Sequence, residues 1–185
     1  MEKRYIFDAD THVSPYSNFD KSINACQWEE RMERAGVAHA IVWLLPQGVV
    51  DVTESNRYIG REAQKNKRIV PFGWANIREG AEKAREDARL CLEEYGCAGV
   101  KLNGAQNEYY IDCPEAMSVM EVVAARNGMI AFHIGADYPD FTDPIRAERA
   151  ARAFPDTKFL MVHMGGLLPL PVPFVAEHLK YVQTV

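Results

Sequence analysis

Apolar and polar positions follow one another in blocks along this chain. A short, nearly continuous apolar run gives way to a longer polar stretch with apolar residues every three or four positions, and then another apolar run begins. The short runs predict strands at Arg4–Asp8, His39–Leu45, Ile69–Asn76, Cys97–Leu102, Met129–Gly135 and Lys158–Gly165. Several of them, such as AIVWLL, MIAF and FLMV, carry no polar face, which suits parallel strands covered on both sides. The intervening stretches predict helices. In EGAEKAREDARLCLEEYG the residues Ala81, Ala84, Ala88, Cys91 and Tyr95 form one buried stripe, and Gly96 follows as a left-handed cap requires. Gly128 likewise ends the helix that holds Ala116, Met120, Val123 and Ala124, and Asp143-Pro144 supplies an N-cap followed by a first-turn proline. A last helix is predicted from about Pro173 to Val185. Nothing linker-like interrupts this order, so residues 1–185 read as a single domain.

Successive strand starts are separated by 28 to 35 residues. Eight such units would need about 250 residues, the size of a (β/α)₈ barrel. Six fit here, leaving two readings of the α/β class: a complete open sheet, or a barrel without its last two units. Length favours the first and the placement of the polar residues favours the second.

Composition narrows the partners. The chain is 48% hydrophobic and 25% charged, as a folded domain is, and its net charge of −5 disfavours nucleic acid and anionic membrane surfaces. The longest stretch without a polar side chain, Met164 to Ala176, contains three prolines and falls short of the roughly 18 residues of a membrane span. MEKRYIF leads directly into a strand without a signal-peptide core, and the four cysteines lack C-x-x-C spacing. A cytoplasmic protein with reduced thiols is the expectation.

Three histidines sit at the C-terminal ends of predicted strands: His12 after IFDAD, His133 in AFHIG and His163 in MVHMGG. That end of a parallel α/β sheet is where sites are built. Asp10 and His12, two apart in an extended segment, project to one face and can hold one ion. Carboxylate with imidazole suits Zn²⁺, Mn²⁺ or Fe²⁺ better than Ca²⁺. In an open sheet of order 3-2-1-4-5-6, strands 1 and 6 would lie roughly 14 Å apart, too far to share an ion. If these histidines serve one site, the sheet must curl.

These segments resemble the amidohydrolase superfamily, specifically the amidohydrolase-2 group related to aminocarboxymuconate-semialdehyde decarboxylase. FDADTH is similar to its first-strand D-x-H-x-H signature, AGVKLNGA to its fourth strand, GMIAFHIGAD to its fifth, and FPDTKFLMVHMGG to its sixth. The resemblance implies a (β/α)₈-type barrel with about six units in this chain, and a divalent metal, zinc first, with manganese or iron as alternatives. It implies Asp10, His12 and His133 as metal ligands and His163 as the general acid/base. It makes Lys101, on the fourth strand, a substrate-binding pocket residue or a buried ion-pair partner. Two departures stand out. Asp10 replaces the first histidine of H-x-H, as in several decarboxylases of the group, and the eighth-strand aspartate has no counterpart within these residues.

The implied function is a metal-dependent hydrolase or decarboxylase acting on a small carboxylated or cyclic substrate. The incomplete set of units leaves strand edges to be covered by a further C-terminal segment, by a second copy of the chain in a homo-oligomer, which is the expectation, or by rearranged local structure. The alternative is a non-catalytic, incomplete barrel that binds metal weakly or serves as an oligomerising scaffold. A nucleotide-binding sheet ranks last, because no G-x-G-x-x-G or G-x-x-x-x-G-K-[ST] follows any strand. His39 and His178 read as structural, Asp8 as a support for Asp10, and Trp74 as packing.

Overall fold

The computed structural model describes residues 5–15, 23–44, 52–134 and 138–163. Six parallel strands follow in order: β1 Phe7–Val13, β2 His39–Leu44, β3 Ile69–Trp74, β4 Gly99–Leu102, β5 Met129–His133 and β6 Lys158–Val162. Each strand pairs with the next in sequence, β1-β2-β3-β4-β5-β6. This singly wound order, unlike 3-2-1-4-5-6, sends every crossover the same way and puts all helices on one face. The helices are α1 Ala25–Ala35, α2 Val52–Lys65, α3 Ala81–Glu93, α4 Gly104–Asn107, α5 Pro114–Ala124, α6 Pro139–Thr142 and α7 Pro144–Ala153. The helix predicted at 173–185 lies outside the described residues. Among the described residues no helix is long and apolar enough to cross a membrane.

The sheet curls. Nδ1 of His163, just past β6, stands 3.8 Å from Oδ2 of Asp10 on β1. In a flat sheet those strands would be five spacings, roughly 24 Å, apart. The fold is therefore a partial TIM-type barrel, and among the described residues β6 does not pair with β1. Two cores follow. The larger packs helices on the outer face, with Trp28, Ala88, Cys91 and Met120 among its buried members. The smaller fills the barrel interior with Ile41, Trp43, Phe72, Ala131, Leu160 and Val162. Gly99 makes the inner layer possible, because a Cβ there would meet the Met129 carbonyl oxygen and the Phe72 ring.

Local chemistry explains most element ends. Asn24 forms a capping box with Gln27, each side chain accepting from the other residue's backbone N–H at 2.9 and 3.1 Å. The Asp143 carboxylate accepts from Ile145 N–H at 2.8 Å with Pro144 at the first helical position. Gly96 adopts φ +68 as expected. At the end of α5 the left-handed residue is Asn127, φ +53, rather than Gly128. Gly128 is required for space instead, since a Cβ would come within 2.9 Å of Val123 and 3.0 Å of Leu92.

β1 departs most from expectation. It spans Phe7–Val13 rather than Arg4–Asp8, because Asp10 and His12 at the barrel mouth are polar and the strand carries no continuous apolar run. Its register with β2 shifts between Asp8 and Thr11. This bulge breaks the expected parity. Asp8 pairs with Ala40, which belongs to the outer core, whereas His12 pairs with the inward-facing Trp43.

Candidate active site

The site forms where the C-terminal ends of β1, β2, β3, β4, β5 and β6 meet. The bulge in β1 turns Asp10 inward, and the Asp8 carboxylate fixes it from behind by accepting from Asp10 N–H at 3.1 Å. Nδ1 of His12 lies 3.8 Å from Asp10 Oδ1, and Nδ1 of His163 lies 3.8 Å from the other oxygen, Oδ2. The His133 and His163 rings meet edge to face with centroids 4.7 Å apart. The structure thus brings Asp10, His12, His133 and His163 around one mouth. Met164, Gly165 and Gly166 lie outside the described residues.

His163 carries a backbone cost. Its φ of +65 is left-handed, a region that a histidine occupies only under constraint. The turn lifts the imidazole off the strand line and presents it to Asp10.

Lys101, one residue before the end of β4, lies between its strand partners Trp74 and Ala131. It is 1% exposed, and its Nζ lies 3.7 Å from Asp10 Oδ1 and 3.6 Å from the centroid of the Trp43 ring. Of the two expectations for this lysine, pocket residue or buried ion-pair partner, the 3.7 Å approach to Asp10 is the geometry of the second. Burial pulls its pKa down from 10.5 to about 7, against the upward pull of Asp10. Burial, followed by the charge of Lys101, likewise pushes His12 down to about 4. His12 is therefore a neutral imidazole near pH 7, the form that ligates metal.

Whether these residues suit a divalent ion can be judged from the donors themselves. The 3.8 Å separations are too long for hydrogen bonds. They match the roughly 3 to 4 Å between two ligand atoms each bonded at about 2.1 Å to one ion. Donor types and pair spacings fit. Among the described residues, however, no three His, Cys, Asp or Glu side chains are gathered closely enough to make a ready ion site. The ammonium of Lys101 stands beside the carboxylate that such an ion would use.

Other expected residues fall outside the mouth. His39 shares a hydrogen bond of 2.8 Å with the Tyr5 hydroxyl at the opposite end of β2. His178 lies outside the described residues. The four cysteines are free thiols. Two contributors escaped the sequence pattern. Trp43 forms a wall of the mouth, with His12 against it at a centroid separation of 5.9 Å. Asn56 on α2 grips β3 from outside, accepting from Trp74 N–H and donating to the Trp74 carbonyl, both at 2.8 Å.

The amidohydrolase family model matches residues 29–182. Curated protein sequences give no match. Solved structures share the fold at low identity. The 2,6-dihydroxybenzoate decarboxylase from Rhizobium aligns with a TM-score of 0.69 at 14% identity, over 88% of this chain and 67% of that one. The 5-carboxyvanillate decarboxylase from Sphingomonas paucimobilis aligns with a TM-score of 0.71 at 16% identity, over 96% and 71%. A dihydroxybenzoic acid decarboxylase from Polaromonas sp. JS666, solved with manganese and 2-nitroresorcinol, aligns with a TM-score of 0.64 at 16% identity, over 87% and 66%. The chain spans about two thirds of the length of these proteins.

Proposed function

The chain belongs to the amidohydrolase family, and on that footing we propose that it carries the site of a metal-dependent enzyme that decarboxylates a small carboxylated ring compound. The observation that carries the reading is the convergence of Asp10, His12, His133, His163 and Lys101 from four different strand ends on one mouth. The decarboxylases of like fold support the same direction.

Asp10, His12 and His133 would hold the divalent ion, zinc by donor type, with manganese and iron compatible with the same set. When bound, it supplies positive charge that polarises a coordinated oxygen of the substrate. Lys101 binds the substrate carboxylate, a role that suits its buried ammonium, which faces one carboxylate, Asp10, among the described residues. His163 holds the proton. With Nδ1 turned to Asp10, Nε2 is the nitrogen left to face the substrate. As the carbon–carbon bond breaks and carbon dioxide leaves, the electron pair remains on the ring carbon. It takes the Nε2 proton, which solvent then restores.

Hydrolysis is the second reading, favoured by one observation. The His163 side chain is 46% exposed, so water can reach the same nitrogen, which would then accept a proton from the attacking water.

The test is manganese or zinc titration by calorimetry, followed by assays of carbon dioxide release from 2,6-dihydroxybenzoate and 5-carboxyvanillate and of hydrolysis of small lactones. Metal binding that is lost in Asp10→Asn, together with carbon dioxide release, supports decarboxylation. Lactone opening alone supports hydrolysis. Neither metal binding nor turnover would leave the scaffold alternative standing.

A further inference from the structure

Two buried donors at the C-terminal ends of β2 and β3 lack acceptors among the described residues. The indole nitrogens of Trp43 and Trp74 are inaccessible to solvent and have no hydrogen-bond partner among the described residues. Leaving such a buried N–H unpaired costs roughly 1–3 kcal/mol. Two of them beside one buried ammonium therefore point to an acceptor that arrives from outside.

Their placement is specific. Trp43 is wholly buried and Trp74 is 2% exposed. Both lie at or next to the C-terminal ends of their strands. Lys101 connects them: its Nζ is 3.6 Å from the Trp43 centroid and 5.9 Å from the Trp74 centroid. Among the described residues one carboxylate, Asp10, faces that ammonium at 3.7 Å, and the same carboxylate also faces His12 and His163. Positive charge and hydrogen-bond donors thus outnumber acceptors on this wall.

We propose that Trp43, Trp74 and Lys101 together form a cradle for one carboxylate of the substrate, with both indole N–H groups and the ammonium donating to its two oxygens. The inference rests on the reading that Lys101 binds substrate, and it makes the two tryptophans specificity-determining residues. A neutral carbonyl offers one oxygen and little charge for three donors, whereas a carboxylate offers two oxygens and about four lone pairs. Phe72 stands edge-on to Trp43 at 5.8 Å between centroids, an apolar aromatic surface beside these donors. The body attached to the carboxylate should therefore be flat and apolar, which makes an aromatic carboxylate the preferred class.

The chain has three tryptophans, and the third, Trp28, belongs to the outer core on α1, so it serves as an internal control. In protein labelled with ¹⁵N at the indoles, benzoate titration should move the Trp43 and Trp74 N–H proton signals downfield saturably and leave Trp28 in place. Trp43→Phe and Trp74→Phe should each weaken benzoate binding about tenfold, and Lys101→Met by more. Thermal melts of each variant separate loss of binding from loss of folding, and the indole shifts of the parent protein need no variant. Saturable benzoate binding that moves neither indole, with only Lys101→Met impaired, overturns the cradle but keeps the Lys101 reading. Binding that none of the three substitutions affects, or no binding at all, overturns both. A response to phosphate without one to benzoate overturns the assignment to carboxylate.

Discussion

Lys101 Nζ and Asp10 Oδ1 stand 3.7 Å apart, although three strand spacings separate β4 from β1 along the sheet. The ammonium is almost wholly buried while the carboxylate is one-third exposed. The pair is therefore lopsided: the lysine has given up its water, and the carboxylate remains open to a second cation.

That asymmetry sets lysine and metal against each other. Two like unit charges about 6 Å apart repel by roughly 3 kcal/mol at an effective dielectric of 20. Removing the ammonium should favour any divalent ion at Asp10. Lys101→Met is expected to bind Mn²⁺ at least about tenfold more tightly than the parent at pH 6. The advantage should shrink at pH 8.5, because the lysine, with its pKa drawn down to about 7, is then mostly neutral. Calorimetric titration at both pH values checks this, and unchanged affinity at pH 6 would count against an ion at Asp10.

The same lysine makes stability depend on pH. Its pKa is about 7 in the folded protein, against 10.5 for a lysine free in water, as in an unfolded chain. Between those values the unfolded chain binds more protons than the folded one, so unfolding free energy rises with pH. The penalty of burying the charge is fully present below about pH 7 and relieved as pH climbs toward 10.5. Metal-free protein should gain stability from pH 7 to 10 with a slope approaching about 1.4 kcal/mol per pH unit. Lys101→Met should lose that slope and equal or exceed the parent at pH 7. Urea unfolding across the pH series measures both.

How legible this was from sequence differs by element. β2, β3, β5 and β6 start where the apolar runs start, because buried strands announce themselves by composition. β1 does not, since a strand that lines a polar mouth alternates like a surface loop. The bulge near Asp10 leaves no mark in the residue types, so the sequence does not show that Asp8 supports Asp10 through its backbone N–H. His133 and His163 were legible because they end apolar runs just before glycines, and Asp10 and His12 because they stand two apart in an extended segment. Trp43 was not, because inside AIVWLL a mouth residue and a core residue look alike. Only the curl of the sheet distinguishes the two.

Asn56 is a support of that curl. Its amide replaces a neighbour for the Trp74 backbone, with one bond donated and one accepted at 2.8 Å in a buried setting. Asn56→Ala leaves the Trp74 N–H unpaired and its carbonyl with only the weak Cys91 thiol donor at 3.9 Å, and should cost about 1–3 kcal/mol. Asn56→Asp should also destabilise, because a carboxylate cannot donate to the Trp74 carbonyl. Chemical denaturation of both variants provides the measurement, and losses under about 1 kcal/mol would mean that water substitutes for the clamp.

His163 allows its chemical and structural roles to be separated, because its backbone is left-handed. That conformation costs a non-glycine residue about 1–2 kcal/mol, whereas glycine gives up only its larger unfolded-state entropy of about 0.5–1 kcal/mol. His163→Gly should therefore be at least as stable as His163→Ala, and within about 1 kcal/mol of the parent. Both variants remove the imidazole that faces Asp10 and packs against His133. If that imidazole handles the proton without ligating the ion, turnover should fall about 10²- to 10⁴-fold in both variants. Metal affinity should then stay close to that of the parent. Calorimetry with Mn²⁺, thermal melts and carbon dioxide release on the same three proteins resolve the roles. Loss of metal binding in His163→Gly with stability intact would make His163 a ligand, and the proton would have to be carried by another group at the mouth.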